Sequence, residues 1–288
     1  MHKPDGVVRE SLPFRAVRAV LMPVWILFAH WRLIRQFARR EISEKYRQTF
    51  LGLFWFVLTP LLYLAAFSMV FGYILPGRRE TWAHLQGVSE FDFVVAIFSG
   101  LIIYWLFSEM VVQSTNLLPR HRNLVTELKF PTEILVWANI LTVLFSFFVH
   151  LIFFVVLYIF WVGPLPWTIL LLPLVLLPLL VLLMGLGWIL AAFSALVRDI
   201  SQLAAVGVTA LLFVSGVFFP ATIVPEHYRD FFLLNPVART IDDARALLFD
   251  QSLPAWHEMA IYMLVSGLVM LLGYRVFKRL QPRFAEHL

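Results

Sequence analysis

Residues 134–197 read ILVWANILTVLFSFFVHLIFFVVLYIFWVGPLPWTILLLPLVLLPLLVLLMGLGWILAAFSALV, without a single Asp, Glu, Lys or Arg. About 20 apolar residues in a helix cross the hydrocarbon of a bilayer, so this run is too long for one crossing. Gly163, Pro164 and Pro166 divide it, because proline removes a helical donor and both residue types interrupt helices. The stretch is therefore read as two membrane-spanning helices, about 134–161 and 167–197. That reading fixes the class of the whole chain as an all-α integral membrane protein.

Working outward, four further spans follow from runs poor in charge: about 51–75, 93–116, 200–219 and 255–275. The composition agrees. Of 288 residues, 61% are hydrophobic and 14% charged, and the mean hydropathy is +0.82. A soluble domain of this size needs more charge to cover its surface. No cysteine is present, which excludes disulfides and thiolate chemistry. The N-terminus lacks the apolar core and small-residue cleavage site of a secretory signal. No internal repeat points to an inverted-repeat carrier.

Six spans put both termini on one side. On that side fall 18 of the 23 Lys and Arg residues, and the other five lie opposite. The positive-inside rule makes the crowded side cytoplasmic. A sequence pI near 9.7 is then explained by topology, and no nucleic-acid partner is expected. Residues 1–24 are a cytoplasmic extension, and 276–288 are a cytoplasmic tail.

Three segments are not spans. Residues 25–47 carry Leu27, Trp31, Ile34, Ala38 and Ile42 at helical spacing, with Arg32, Arg35, Arg39 and Arg40 mostly off that stripe. This is an amphipathic helix for the cytoplasmic interface, serving as a positive-inside anchor, a headgroup site, or both. Residues 120–130 hold a short helix, with Leu124, Leu128 and Phe130 on one face and Pro131 ending it. It reads as a docking element or as a solvated loop. Residues 220–257 are too interrupted by proline to span and too apolar for a plain loop. Two short helices within about 225–249, the second given a polar side by Asp242, Asp243 and Arg245, make either a re-entrant pair at a cavity mouth or an interfacial pair.

The chain carries no P-loop, no HExxH and no nucleophile elbow. His227 to Asp230 (HYRD) is an isolated pair. Within the spans, Glu109 is expected to reach water or Arg120, and His150 to donate to a neighbouring helix. Tyr63, Phe67 and Phe71 share one face of the first span, and Phe213, Phe218 and Phe219 approach the far mouth. Such faces suit the C–H surfaces of sugars, or equally lipid and packing contacts.

REISEKYRQTFLGLFWFVLTPLLYLAAFSMVFGYIL at 40–75, NLVTELKFPTEILVWANI at 123–140, VRDISQL at 197–203 and SGVFFPATIVPEHYRDFFLLNPVARTIDDARALL at 215–248 together resemble the transmembrane subunit of type-2 ATP-binding-cassette polysaccharide exporters. This family covers O-antigen, teichoic-acid and capsule export permeases, and LGLFWFVLTP is nearer the first two. The resemblance implies six helices per subunit, a homodimer, and two separate nucleotide-binding subunits that carry ATP and Mg, with no cofactor in this chain and no catalytic or metal site. It implies a lipid-linked glycan as substrate, loaded from the membrane.

By the same resemblance, Arg39, Arg40, Lys45 and Arg47 are the headgroup residues, and Tyr63, Phe67, Phe71, Phe213, Phe218 and Phe219 line the conduit. Arg122, Asn123, Leu124, Leu128, Lys129 and Phe130 couple to the ATPase. Pro225, Tyr228, Phe231, Asn235, Pro236 and Arg239 form an external gate. Alternatives from the residues alone are a type-2 exporter of a drug or another lipid, and a membrane glycosyl- or acyl-transferase.

Overall fold

The computed structural model describes residues 22–47, 54–67, 69–70, 90–126 and 130–284, and among them every regular element is a helix. A short helix α1 (22–29) leads through a turn at His30 into α2 (Trp31–Arg47). Then follow α3 (Trp55–Phe67), α4 (Glu90–Arg120), α5 (Arg122–Val125), α6 (Ile134–Trp161), α7 (Leu172–Leu196) and α8 (Ile200–Val214). The chain closes with α9 (Glu226–Leu233), α10 (Pro236–Arg245) and α11 (Trp256–Leu280).

Four helical segments are long and apolar enough to cross a membrane: Phe93–Arg120, Ile134–Trp161, Trp167–Leu196 and Trp256–Arg283. The first is the hub. Nearly every described side chain from Phe93 to Met110 is buried, and α4 packs against α6, α7, α8 and α10. The others each keep one apolar face uncovered, as with Ile152, Val156 and Phe160 on α6 and Leu264 and Leu268 on α11. Such faces are compatible with lipid, in which apolar exposure carries no cost.

α4 extends past the expected end at 116. Leu117 and Leu118 are fully buried, so the apolar face continues to the last turn, where Pro119 is tolerated. Of the expected helix over 120–130, the structure describes the single turn of α5, and 127–129 lie outside the described residues. Of the first expected span, 51–75, the structure describes α3, with Pro60 inside it and buried.

α7 and α11 make the most extensive pairing in the fold. Glycines permit it. A Cβ added to Gly273 would lie 2.2 Å from the Gly185 carbonyl oxygen, and one added to Gly185 would lie 2.6 Å from backbone atoms of Val269 and Met270. Small residues at such crossings let two backbones touch, which is how helices gain packing energy in a membrane. Next to this crossing, Trp188 is fully buried and meets Tyr274 edge-on at 5.3 Å. Gly273→Ala is expected to lower the stability of the purified chain by about 1–3 kcal/mol through overpacking. Gly267→Ala, on the same helix with nothing within 4 Å of the added carbon, is expected to leave it unchanged; thermal unfolding in detergent compares the two.

Candidate functional site

Two polar constructions stand out from the apolar bundle, one at each end. The first joins α8 to α10. α8 has 15 residues, about 22 Å of helix, against a hydrocarbon layer of about 30 Å. The span expected over 200–219 therefore stops early. Gly216 at φ +69° turns the chain, a left-handed conformation that glycine adopts freely.

The turn after the helix end leaves carbonyls that need donors. Arg245 supplies them: its Nη1 donates to Gly216 O at 2.6 Å, and its Nη2 to Val217 O at 2.7 Å. The same guanidinium donates through Nε and Nη2 to Ala96 O of α4, at 3.2 and 3.1 Å. Asn235 Nδ2 donates to Val214 O at 3.3 Å and to Ser215 Oγ at 3.2 Å, while its Oδ1 accepts from Val237 N and caps α10.

Arg245 is 6% exposed. The expectation that it would give α10 a polar outer side is thus corrected: it points into the protein because three carbonyls need it there. Gly100 makes room, since a Cβ there would lie 2.6 Å from Arg245 Nη2. After α10 the chain widens into a π turn, Ala246–Asp250. Tyr158 and Thr168 hydroxyls donate to its Leu248 and Leu247 carbonyls.

On the outer side of α10, Arg239 donates to Asp243 at 3.0 Å and to Glu258. Burial pushes the Asp243 carboxyl up from its ordinary value, and the Arg239 hydrogen bond pulls it back. Arg239 and Pro236 border an apolar groove of about 590 Å3 with Leu182, Ile261 and Val265. Pro225, Tyr228 and Phe231 project outward, and His227 meets Tyr228 edge-on at 5.0 Å. Tyr63 leans on Trp105 at 5.2 Å, whereas Phe213 meets Phe218 and Phe219 meets Phe232 beyond the end of α8.

The second construction seats α2 on α4 and α6. Ile34 and Ala38 are buried, and the same helical face continues with Glu41 and Lys45. Glu41 lies 3.0 Å from His121 Nε2 and accepts from Thr142 Oγ1 at 3.1 Å. Lys45 Nζ donates to Glu109 and, at 3.1 Å, to Ser146 Oγ. Gln113 Nε2 also donates to Glu109, at 2.7 Å.

Glu109 pairs with Lys45, whose side chain stays partly exposed while it is tied to α4 and α6. Arg39 and Arg40 remain exposed, the latter bonded to Glu44 at 2.7 Å. Arg47 and Phe67 end their helices with side chains outside the described residues, and Phe71, Leu128 and Lys129 lie outside them altogether. Arg122 and Asn123 are exposed and Leu124 is half-buried. Phe130 packs on Phe37 at 5.6 Å, and Phe37 on His121 at 6.2 Å. His150 stacks against Trp105 at 5.1 Å.

Glu41, His121 and Arg245 are the residues that sequence reasoning missed. Positions 34, 38, 41 and 45 keep one helical register, so Glu41 was findable; Arg245 was not, because its partners are backbone atoms from two distant segments.

A helical membrane chain with a short α8, the α9–α10 pair and an amphipathic α2 matches the ABC-2 type transporter model over residues 32–249. The chain belongs to the ABC-2 type transporter family. This transporter chain is 27% identical over 263 residues to the O-antigen export system permease protein RfbA of Myxococcus xanthus, covering 90% of this chain and 96% of that one. It is 20% identical to the RfbA permease of Klebsiella pneumoniae, covering 86% and 91%. It is 21% identical to the polysialic acid transport protein KpsM of Escherichia coli, covering 82% and 90%. As a membrane subunit of such a transporter, the chain is a multi-pass protein.

In this transporter chain, Arg245→Met is expected to lower stability by about 3 kcal/mol or more, because buried carbonyls left without donors cost about 1–3 kcal/mol each. Gly100→Ala is expected to move stability the same way by displacing the guanidinium. Thermal unfolding, together with protease sensitivity of the 215–250 segment, measures both.

Proposed function

We propose that this chain is the permease subunit of an ATP-driven exporter that moves a lipid-linked polysaccharide, O-antigen-like and carried on a polyprenyl diphosphate, across the cytoplasmic membrane. The observation that carries this reading is the similarity to an O-antigen export permease along 90% of the chain.

In this reading the chain has six spans, α3 with its flanking residues and α8 supplying the first and fifth. Both termini and α5 face the cytoplasm, where the Lys and Arg residues concentrate. α9 and α10 form the external gate. Two copies join: α8 leaves Leu203, Val206, Phe213 and Val214 exposed, and a second chain closes a conduit along those faces. Two nucleotide-binding subunits with ATP and Mg dock at α5 and its neighbours. Lipid-linked substrate is loaded near α2, where Arg39 and Arg40 offer charge-assisted hydrogen bonds to a diphosphate. Sugars then slide past aromatic faces and leave beyond α9.

The geometry also supplies a route for force. Movement of the α5 turn pulls on His121, which is held to Glu41 and stacked on Phe37. The push passes to α2 and, through Lys45 and Glu109, to the centre of α4. Replacing His121 with Ala, or Glu41 with Gln, is expected to leave ATPase capture and ATP hydrolysis near wild type while reducing export several-fold. Export at the wild-type rate in both variants sinks this route. The assay pairs surface glycan measurement with hydrolysis by the purified complex.

A further inference from the structure

Where α4 ends and α8 begins, a cavity of about 340 Å3 opens among Thr115, Asn116, Arg122, Ser194, Arg198 and Ser201. Both guanidiniums are exposed, and no described carboxylate lies within ion-pair distance of either. Arg39 and Arg120 likewise have no described carboxylate within ion-pair distance; what distinguishes Arg122 and Arg198 is that both line one cavity. Arg40 is bonded to Glu44, Lys45 to Glu109, Arg239 to Asp243 and Glu258, and Lys278 to Glu133. Asp199 follows Arg198 directly in the chain, yet does not line the cavity.

The remaining lining groups fit an anion. The hydroxyls of Thr115, Ser194 and Ser201 donate to carbonyls of their own segments, and Asn116 Nδ2 donates to Val112 O and Thr115 Oγ1, so the cavity presents the two guanidiniums as its donors. Ile200 starts α8 beside it, and a helix start adds partial positive charge. Thr115 is 1% and Ser194 4% exposed, so the cavity descends between α4 and α7 instead of lying flat on α5. An acidic protein surface would touch the arginine tips and leave that floor empty. A compact anion with several oxygens, attached to an apolar tail, would reach it and bridge both guanidiniums.

We propose that this cavity binds the phosphate group of a lipid headgroup in the cytoplasmic leaflet, with Arg122 and Arg198 as its two donors. The proposal rests on the orientation given above. It also revises one role, because Arg122 then serves the headgroup and not the ATPase.

The test uses the full chain purified in detergent, with native mass spectrometry following a polyprenyl diphosphate, phosphatidylglycerol and inorganic diphosphate. The Arg122→Gln/Arg198→Gln double variant is expected to bind the preferred lipid about tenfold more weakly or worse, and inorganic diphosphate to compete with that lipid on the wild type. Whichever lipid binds more tightly names the source. Each single variant, a change at an exposed position, is expected to show part of the loss. Unchanged affinity overturns the proposal, as does an equal loss in Arg40→Gln, which reports only net charge. Retained lipid binding with lost ATPase capture overturns it too, by making the cavity a protein dock. Binding is read without export, so a wild type that binds the lipid and exports no glycan refutes the export reading and leaves the cavity standing.

Discussion

A helix that stops inside an apolar layer must find hydrogen-bond donors for the carbonyls that it and the turn after it leave free. The described structure depends on how α8 meets this demand. Arg245 and Asn235 bring donors to Val214, Gly216 and Val217 from a segment that follows by roughly twenty to thirty residues. The same guanidinium bonds the start of α4, the most buried helix of the fold. Three pieces are thereby held in one place: the end of α8, the α10 segment and the hub. The π turn after α10 is held by the same means, with side-chain hydroxyls serving its carbonyls.

The opposite end of the bundle uses charge. An acidic side chain in a spanning helix is costly unless it is paired, and Lys45 of α2 gives Glu109 its partner. α2 thus differs from a helix that merely floats on headgroups. Its apolar register at Ile34 and Ala38 seats it, and Glu41 and Lys45 tie it to α6 and α4. Because His121 shares Glu41, the turn at α5 and the amphipathic helix are mechanically one unit. In the exporter reading, this places the ATPase contact and the substrate-loading surface on either side of a single hydrogen-bonded joint.

Much of the fold was legible because membrane helices write themselves in long charge-free runs. The 134–197 run and its Gly163–Pro166 break gave α6 and α7 directly. α8 was overextended because the residues from Ser215 to Phe219 are as apolar as those before them; a left-handed glycine ends the helix, and hydropathy does not register it. The candidate site was less legible. Amphipathic spacing located α2 but not the pairing of Lys45 with Glu109, since single-helix periodicity does not reveal which charged residues find partners elsewhere. The sequence places Arg245 on a polar side of α10, because nothing local distinguishes an arginine facing water from one facing three distant carbonyls.

The central claim is that the segment between α8 and α11 dips toward the membrane and returns, held by Arg245, without crossing. The chain has no cysteine, so single cysteines can be introduced and labelled with a membrane-impermeant thiol reagent in sealed cells. Tyr228→Cys and His257→Cys, both at exposed positions, should label from the outside, and Asp199→Cys only after the membrane is opened. Labelling of Tyr228→Cys and His257→Cys from opposite faces would contradict the account.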